Sequence, residues 1–223
     1  MKPASVTFEE AAAVPLAGMT ALQAVRDHGR VRPGQRVLVN GSSGAVGPFL
    51  VQIAKAFGAE VTAVCSPANV EMSRSVGADR VFDYTTQDFT RDGSRYDVIL
   101  DVAGSRKWHE YMRVLKPDGT FVGVGVSAVM HRRGGMLRVL RHLGGLRVQA
   151  IRRGPRIVVF VARMKRPDLE YLRDMLADGR IRPVIDRRYE PQQIADAFHY
   201  LDQGHSRAKI VITGFPSAVS TQD

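Results

Sequence analysis

The chain has 223 residues, 44% of them hydrophobic and 24% charged, a composition that excludes wholesale disorder and bounds it to one sizeable domain with at most a small appendage. A single cysteine, Cys65, excludes an internal disulfide framework and a multi-thiolate zinc site built from this chain alone, and points to a reducing, cytoplasmic setting. The net charge of +10 is concentrated between residues 130 and 165, which contain no acidic residue, and with no zinc-finger spacing, RNP-like strand or basic zipper, a specific nucleic-acid partner is not expected.

The first residues reach Glu9 and Glu10 without a long apolar core, so neither a signal peptide nor an anchor is expected there. No run approaches the ~20 apolar residues that span a bilayer. Residues 8–28 read as a helix with small apolar positions (Ala11, Ala13, Ala17, Ala21, Ala24), broken by Arg32-Pro33-Gly34. A strand at 36–40 runs into Gly41-Ser42-Ser43-Gly44-Ala45-Val46-Gly47, and Val46, Leu50, Ile53, Ala54 and Phe57 follow at helical spacing. The alternation repeats: strand 60–65, helix 69–76, strands 80–83 and 96–102, helix 107–115, strand 120–124. Strands separated by helix-length segments imply right-handed crossovers and a doubly wound parallel sheet, an α/β fold. After the basic connection come a strand at 157–162, a helix at 168–177, an extended piece at 181–189, a helix at 191–202, a strand at 209–213 and a small polar tail.

A G-x-x-G-x-x-G run alone is a weak signal, but here a strand precedes it and an amphipathic helix follows. Gly44 and Gly47 permit a tight turn and close helix-to-strand packing. The amides of Gly44, Ala45 and Val46 open the helix, where unpaired N–H groups and the helix dipole favour a pyrophosphate. The bland alternative is a strand-to-helix turn without a ligand. At the end of the second strand, where an NAD site places a carboxylate, stand Cys65-Ser66-Pro67-Ala68-Asn69, with no acidic residue before Glu71. Ser66 and Asn69 can donate to a 2'-phosphate, so NADPH is favoured and NADH is the other candidate. Helix capping by the same two side chains is the competing reading.

Gly41 to Gly47, Gly77-Ala78-Asp79, Asp83-Tyr84, Tyr96-Asp97-Val98-Ile99-Leu100-Asp101-Val102-Ala103-Gly104, Leu115-Lys116-Pro117-Asp118-Gly119 and the ending Gly204-His205-Ser206-Arg207-Ala208-Lys209-Ile210-Val211 occur in this order. The set resembles the zinc-independent, quinone-oxidoreductase-like branch of the medium-chain dehydrogenase/reductase superfamily over residues 2–213. The resemblance implies a Rossmann domain. It places Gly44, Ala45 and Val46 at the pyrophosphate and Ser66 and Tyr84 at the adenosine 2'-phosphate. Val102, Gly104 and Gly125 fall on the nicotinamide side, and Thr20 and Lys209 border the cofactor. Tyr84 reads equally as an aromatic packed after a strand, and Lys209 as a solvated charge.

Two departures from the resemblance matter. Asn69 stands where NADPH-binding relatives often carry Lys or Arg, which weakens the NADPH preference; Arg74 is a surface arginine or a substitute. Relatives open with a separate β-rich domain that walls the substrate cleft, whereas this sequence opens in the matching linker helix. The implied layout is a linker helix at 1–28, the Rossmann domain at 29–178 with a basic connection at 127–156, a C-terminal remnant at 179–216 that packs on the catalytic domain of relatives, and a tail at 217–223. The resemblance implies hydride transfer between NADPH and a small-molecule quinone, enone or carbonyl substrate, without zinc and with no catalytic acid or base named in this chain. The alternative is a catalytically silent dinucleotide-binding module, or half of a split enzyme completed by a partner domain.

Other features weigh less. Ser42 and Ser43 lack a G-x-S-x-G elbow and fit a phosphate cradle better than a nucleophile. His199 and His205 read as surface residues and Trp108 as packing. Residues 131–156 permit either peripheral contact with an anionic membrane or a solvated flap over the cleft. The strand at 157–162 is expected at a sheet edge, where it would favour a homodimer, and the last third is expected to expose apolar surface.

Overall fold

A computed structural model describes residues 2–124, 154–204 and 206–214. Gly125, His205, the tail and most of the basic connection, for which either peripheral membrane contact or a solvated flap is expected, lie outside the described residues. The expected opening helix is divided. Pro15 has no N–H to continue a helix, so α1 (Phe8–Ala13) stops before it and α2 (Pro15–Leu22) starts on it, running into a π-helical turn at Gln23–Gly29. α1 is closed by a capping box in which Glu10 N–H donates to Thr7 Oγ1 (3.1 Å) and Thr7 N–H donates to Glu10 Oε2 (2.7 Å). The π-helical turn ends at Arg30, held left-handed at φ 52°.

The alternating body follows as β1 (Arg36–Asn40), α3 (Gly47–Ala56), β2 (Glu60–Cys65), α4 (Val70–Ser75), β3 (Arg80–Asp83), β4 (Tyr96–Asp101), α5 (Trp108–Val114), β5 (Leu115–Val124), β6 (Arg156–Phe160) and α6 (Arg166–Ala177). The six strands are parallel in the order β3-β2-β1-β4-β5-β6, the doubly wound order that reverses between β1 and β4. Side chains alternate between two buried faces. Val37, Val39, Val61, Ala63, Val98, Leu100, Val122 and Val124 join α2, α3 and α6 in one core, whereas Leu38, Val64, Ile99 and Phe121 join Tyr111 and Val114 of α5 in the other. Each fully buried Val, Leu or Phe contributes about 1.5–3 kcal/mol, so both helix layers are needed to cover this sheet.

The last segment forms a second, two-stranded parallel sheet from β7 (Ile185–Tyr189) and β8 (Lys209–Ile212), joined through α7 (Ile194–Asp202). It is tied to the main body by Gln52, whose amide exchanges two hydrogen bonds with the Arg182 backbone, and by Arg188 on Glu9 at 2.6 Å. The N-terminus of α6 is tied to the π-helical turn by polar groups. Buried Asp168 accepts from Gln23 Nε2 and Arg26, each at 2.7 Å, and Gln23 also pairs with the Arg163 backbone. As expected for the last third, Ile194, Phe198 and Leu201 of α7 form an exposed stripe at i, i+4, i+7. Among the described residues no helix is long and apolar enough to cross a membrane.

Gly47, at the start of α3, packs so closely on the end of β1 that a Cβ there would lie 2.4 Å from Gly41 O and from Ser42 C and O. A Cβ at Gly44 would meet nothing within 4 Å. Gly47→Ala is therefore expected to lower unfolding stability by about 2 kcal/mol or more, and Gly44→Ala by less than ~0.5 kcal/mol, in urea denaturation.

Candidate functional site

The order reversal between β1 and β4 opens a crevice at the carboxyl ends of these strands, the position at which doubly wound sheets take ligands. The glycine stretch lies on its rim. Gly41 (φ 90°) and Ser42 both donate their N–H to Val64 O, which anchors the loop to β2. Beyond them, the N–H groups of Ser43, Gly44, Ala45 and Val46 have no acceptor among the described residues, and Val46 is the N-cap of the ten-residue α3 without a side-chain cap. Unsatisfied amides at a helix N-terminus form an anion cradle. The loop is open at Gly44, where a Cβ would meet nothing within 4 Å, and closed at Gly47 against Gly41 and Ser42.

Ser42 departs from the expected phosphate cradle. It is fully buried, and its Oγ lies 3.3 Å from Val64 O and 2.8 Å from Ser73 Oγ, so it braces the loop from inside. Only Ser43 of the pair is on the accessible side. Beneath lies the buried Cys65, whose thiol burial pushes upward in pKa.

At the end of β2, Ser66 Oγ accepts from Asn69 Nδ2 at 2.8 Å, which leaves the serine proton to donate outward. Neither side chain caps the following helical turns, so the capping alternative is not what the structure adopts. Asn69 is buried and gives one of its two amide N–H groups to Ser66 Oγ, and its Oδ1 has no partner among the described residues. Tyr84 is 54% exposed, with its N–H on Cys65 O at 3.1 Å, so it stands beside the Ser66 end of β2. Arg74 is exposed and engaged with Glu71 at 2.6 Å.

On the β4 side, Val102 N–H donates to Asn40 O at 2.9 Å, and the chain turns at Gly104 (φ 58°), whose N–H donates to Asp101 Oδ1 at 3.0 Å. A buried cluster supports this turn. Asn40 Nδ2 lies 2.8 Å from Asp101 Oδ1, 2.9 Å from Tyr111 Oη and 3.1 Å from Ser105 Oγ. Burial raises the Asp101 carboxyl above the ordinary carboxylate range, against the lowering by Gly104 N–H, and burial followed by the Asp101 charge raises the Tyr111 phenol. Sequence reasoning passed over this cluster. Its signal was a polar residue ending each of two otherwise apolar neighbouring strands, Asn40 and Asp101.

Lys209 is half-buried at the start of β8; desolvation lowers its pKa, and no carboxylate pairs with it among the described residues. Thr20 sits on α2 with its hydroxyl donated to Leu16 O at 2.8 Å, which leaves only acceptor capacity. The structure thus brings the glycine loop, Ser66, Tyr84, Val102 and Gly104 to the carboxyl edge of one sheet. No group of three or more His, Cys, Asp or Glu is placed to hold a metal among the described residues.

A family model described as zinc-binding dehydrogenase matches residues 76–212. The mitochondrial NAD(P)H oxidoreductase RTN4IP1 of Mus musculus is 34% identical, over 95% of this chain and 57% of its own length. The 2-methylene-furan-3-one reductase of Solanum lycopersicum is 33% identical, over 97% of this chain and 50% of its own length. The structure of a quinone oxidoreductase from Coxiella burnetii superimposes with a TM-score of 0.78 at 25% identity, over 96% of this chain and 63% of that one. The chain thus spans between about half and two thirds of the length of the proteins it matches. It belongs to the zinc-binding dehydrogenase family, on the quinone-oxidoreductase-like branch of the medium-chain dehydrogenase/reductase superfamily.

Proposed function

We propose that the chain binds NADPH across the carboxyl ends of β1 and β4 and serves hydride transfer to a quinone, enone or carbonyl substrate, without zinc. The observation that carries this reading is the row of amides from Ser43 to Val46 at the N-terminus of α3 that have no acceptor among the described residues. Gly44, Ala45 and Val46 receive the pyrophosphate, with Lys209 as a nearby cation lacking a carboxylate partner among the described residues. Ser66 donates to the 2'-phosphate with Asn69 holding its oxygen, and Tyr84 flanks the adenosine. Val102 and Gly104 border the nicotinamide, and Thr20 offers an acceptor at the border of the cofactor. When bound, the dinucleotide supplies the hydride; the chain's residues position it and exclude water. A buried free cysteine fits a reducing compartment such as the cytoplasm.

The apolar stripe of α7 favours a second reading, a dinucleotide-binding module completed by a partner domain that covers Ile194, Phe198 and Leu201. NADPH titration followed by turnover of a simple quinone separates the two: binding with turnover supports the oxidoreductase, and binding without turnover supports the module. Independently, among the described residues β6 pairs only with β5 and is followed by Val161, 77% exposed, so that edge is suited to a homodimer; sedimentation at micromolar concentration is expected to show one, and a monomer would refute it.

Ala45→Asp places a carboxylate in the phosphate cradle and is expected to weaken NADPH binding by roughly 2–5 kcal/mol; unchanged affinity in fluorescence titration would refute the placement. Ser66→Asp repels a 2'-phosphate but accepts from a free ribose hydroxyl, so the ratio of NADPH to NADH affinity is expected to invert. An unaltered ratio would mean that the adenosine is read elsewhere.

A further inference from the structure

The residue just before β8 touches the glycine loop through its backbone. Ala208 N–H donates to Ser43 O at 2.9 Å, although the two residues are far apart in sequence. Ala208 is 5% exposed and left-handed, with φ 56°, a conformation that alanine rarely adopts. That conformation fans out three consecutive amides. Arg207 N–H donates to Asp186 Oδ2 (3.0 Å), Ala208 N–H to Ser43 O and Lys209 N–H to Val184 O (3.1 Å). Asp186 is itself fixed by Tyr200 Oη at 2.9 Å, so the donor at position 208 is held from both sides.

The carbonyl of Ser43 and the N–H of Gly44 belong to one planar trans peptide and point in opposite directions. Holding Ser43 O against Ala208 therefore turns Gly44 N–H away from Ala208. Glycine tolerates the flipped peptide as readily, and the flip would present a carbonyl oxygen where a phosphate oxygen belongs. We propose that Ala208 is a positioning residue for dinucleotide binding: its backbone N–H locks the Ser43–Gly44 peptide in the orientation that donates to the pyrophosphate. The proposal rests on the dinucleotide reading above and adds a role for the C-terminal sheet in shaping the loop.

The test replaces Ala208 with lactic acid, which exchanges the N–H for an ester oxygen and keeps the side chain, alongside Ala208→Gly, which keeps the N–H. The ester is expected to raise the Kd for NADPH tenfold or more while leaving adenosine 2'-monophosphate, which lacks the pyrophosphate, within twofold. Ala208→Gly is expected to bind NADPH within threefold of the unaltered chain. In the unaltered chain, NADPH is expected to shift the Gly44 amide resonance and to slow exchange of Ala208 N–H without slowing that of Lys209 N–H. This measurement does not depend on how the ester variant folds. Equal NADPH affinity of ester and unaltered chains, or unchanged Ala208 exchange on NADPH binding, overturns the proposal while leaving the dinucleotide reading intact. Failure of the unaltered chain to bind NADPH overturns both.

Discussion

β1 and β4 bury both of their faces, Val37, Val39, Val98 and Leu100 on one side and Leu38 and Ile99 on the other, and so have only their ends left to offer a ligand. A parallel strand in this position satisfies its backbone laterally and its side chains above and below. At the carboxyl ends the ladder runs out while the order reverses, and the loops after β1 and β4 must diverge to opposite faces. The crevice, the anchored start of the glycine loop and the exposed row of amides follow from that constraint. Gly47 carries it into α3, since any side chain there would push the helix off β1.

The rim of the crevice presents donors and few opposing charges. Among the described residues, the amides from Ser43 to Val46 have no acceptor, Ser66 keeps a proton to donate, and Lys209 is desolvated without a carboxylate partner. The carboxyl group beneath the β4 turn, Asp101, is buried, and that burial raises its pKa against the lowering by the hydrogen bonds it accepts. Its hydrogen bonds to Gly104 N–H and Asn40 hold the turn that narrows the crevice. Positive potential and shape thus have separate sources: backbone amides and one lysine supply the first, and a buried polar cluster supplies the second.

The features legible in the sequence are those that depend on local pattern. Strand-length apolar runs and helical spacing marked every strand of the main sheet to within a few residues, except β5, which begins at Leu115 rather than 120 because Leu115 already pairs with Tyr96. The glycine loop was legible because tight turns restrict residue type. The site residues that escaped depend on contacts between distant segments. Ser42 looked like an accessible hydroxyl and is turned inward onto Ser73, 31 positions away. Asn69 reads as a ligand donor and gives one N–H to Ser66, a pairing that composition does not reveal. The Asp101 cluster needed the parallel register that sets Asn40 beside Asp101. Ala208 carried no signal, because its contribution is a backbone N–H, which every residue but proline has.

The C-terminal sheet links two parts of the molecule that the sequence presents as unrelated. Tyr200 of α7 bonds Asp186 of β7, Asp186 bonds Arg207 N–H, and the next amide holds the glycine loop. The outer face of α7 is the exposed stripe of Ile194, Phe198 and Leu201. Covering such side chains contributes on the order of 1 kcal/mol each, given that about half of each is already buried. A surface that covers the stripe stabilises α7, and with it the bonds that keep Ala208 beneath Ser43. Were cover on the helix to order the loop, linkage would require a ligand that needs the ordered loop to tighten whatever covers the helix by the same factor.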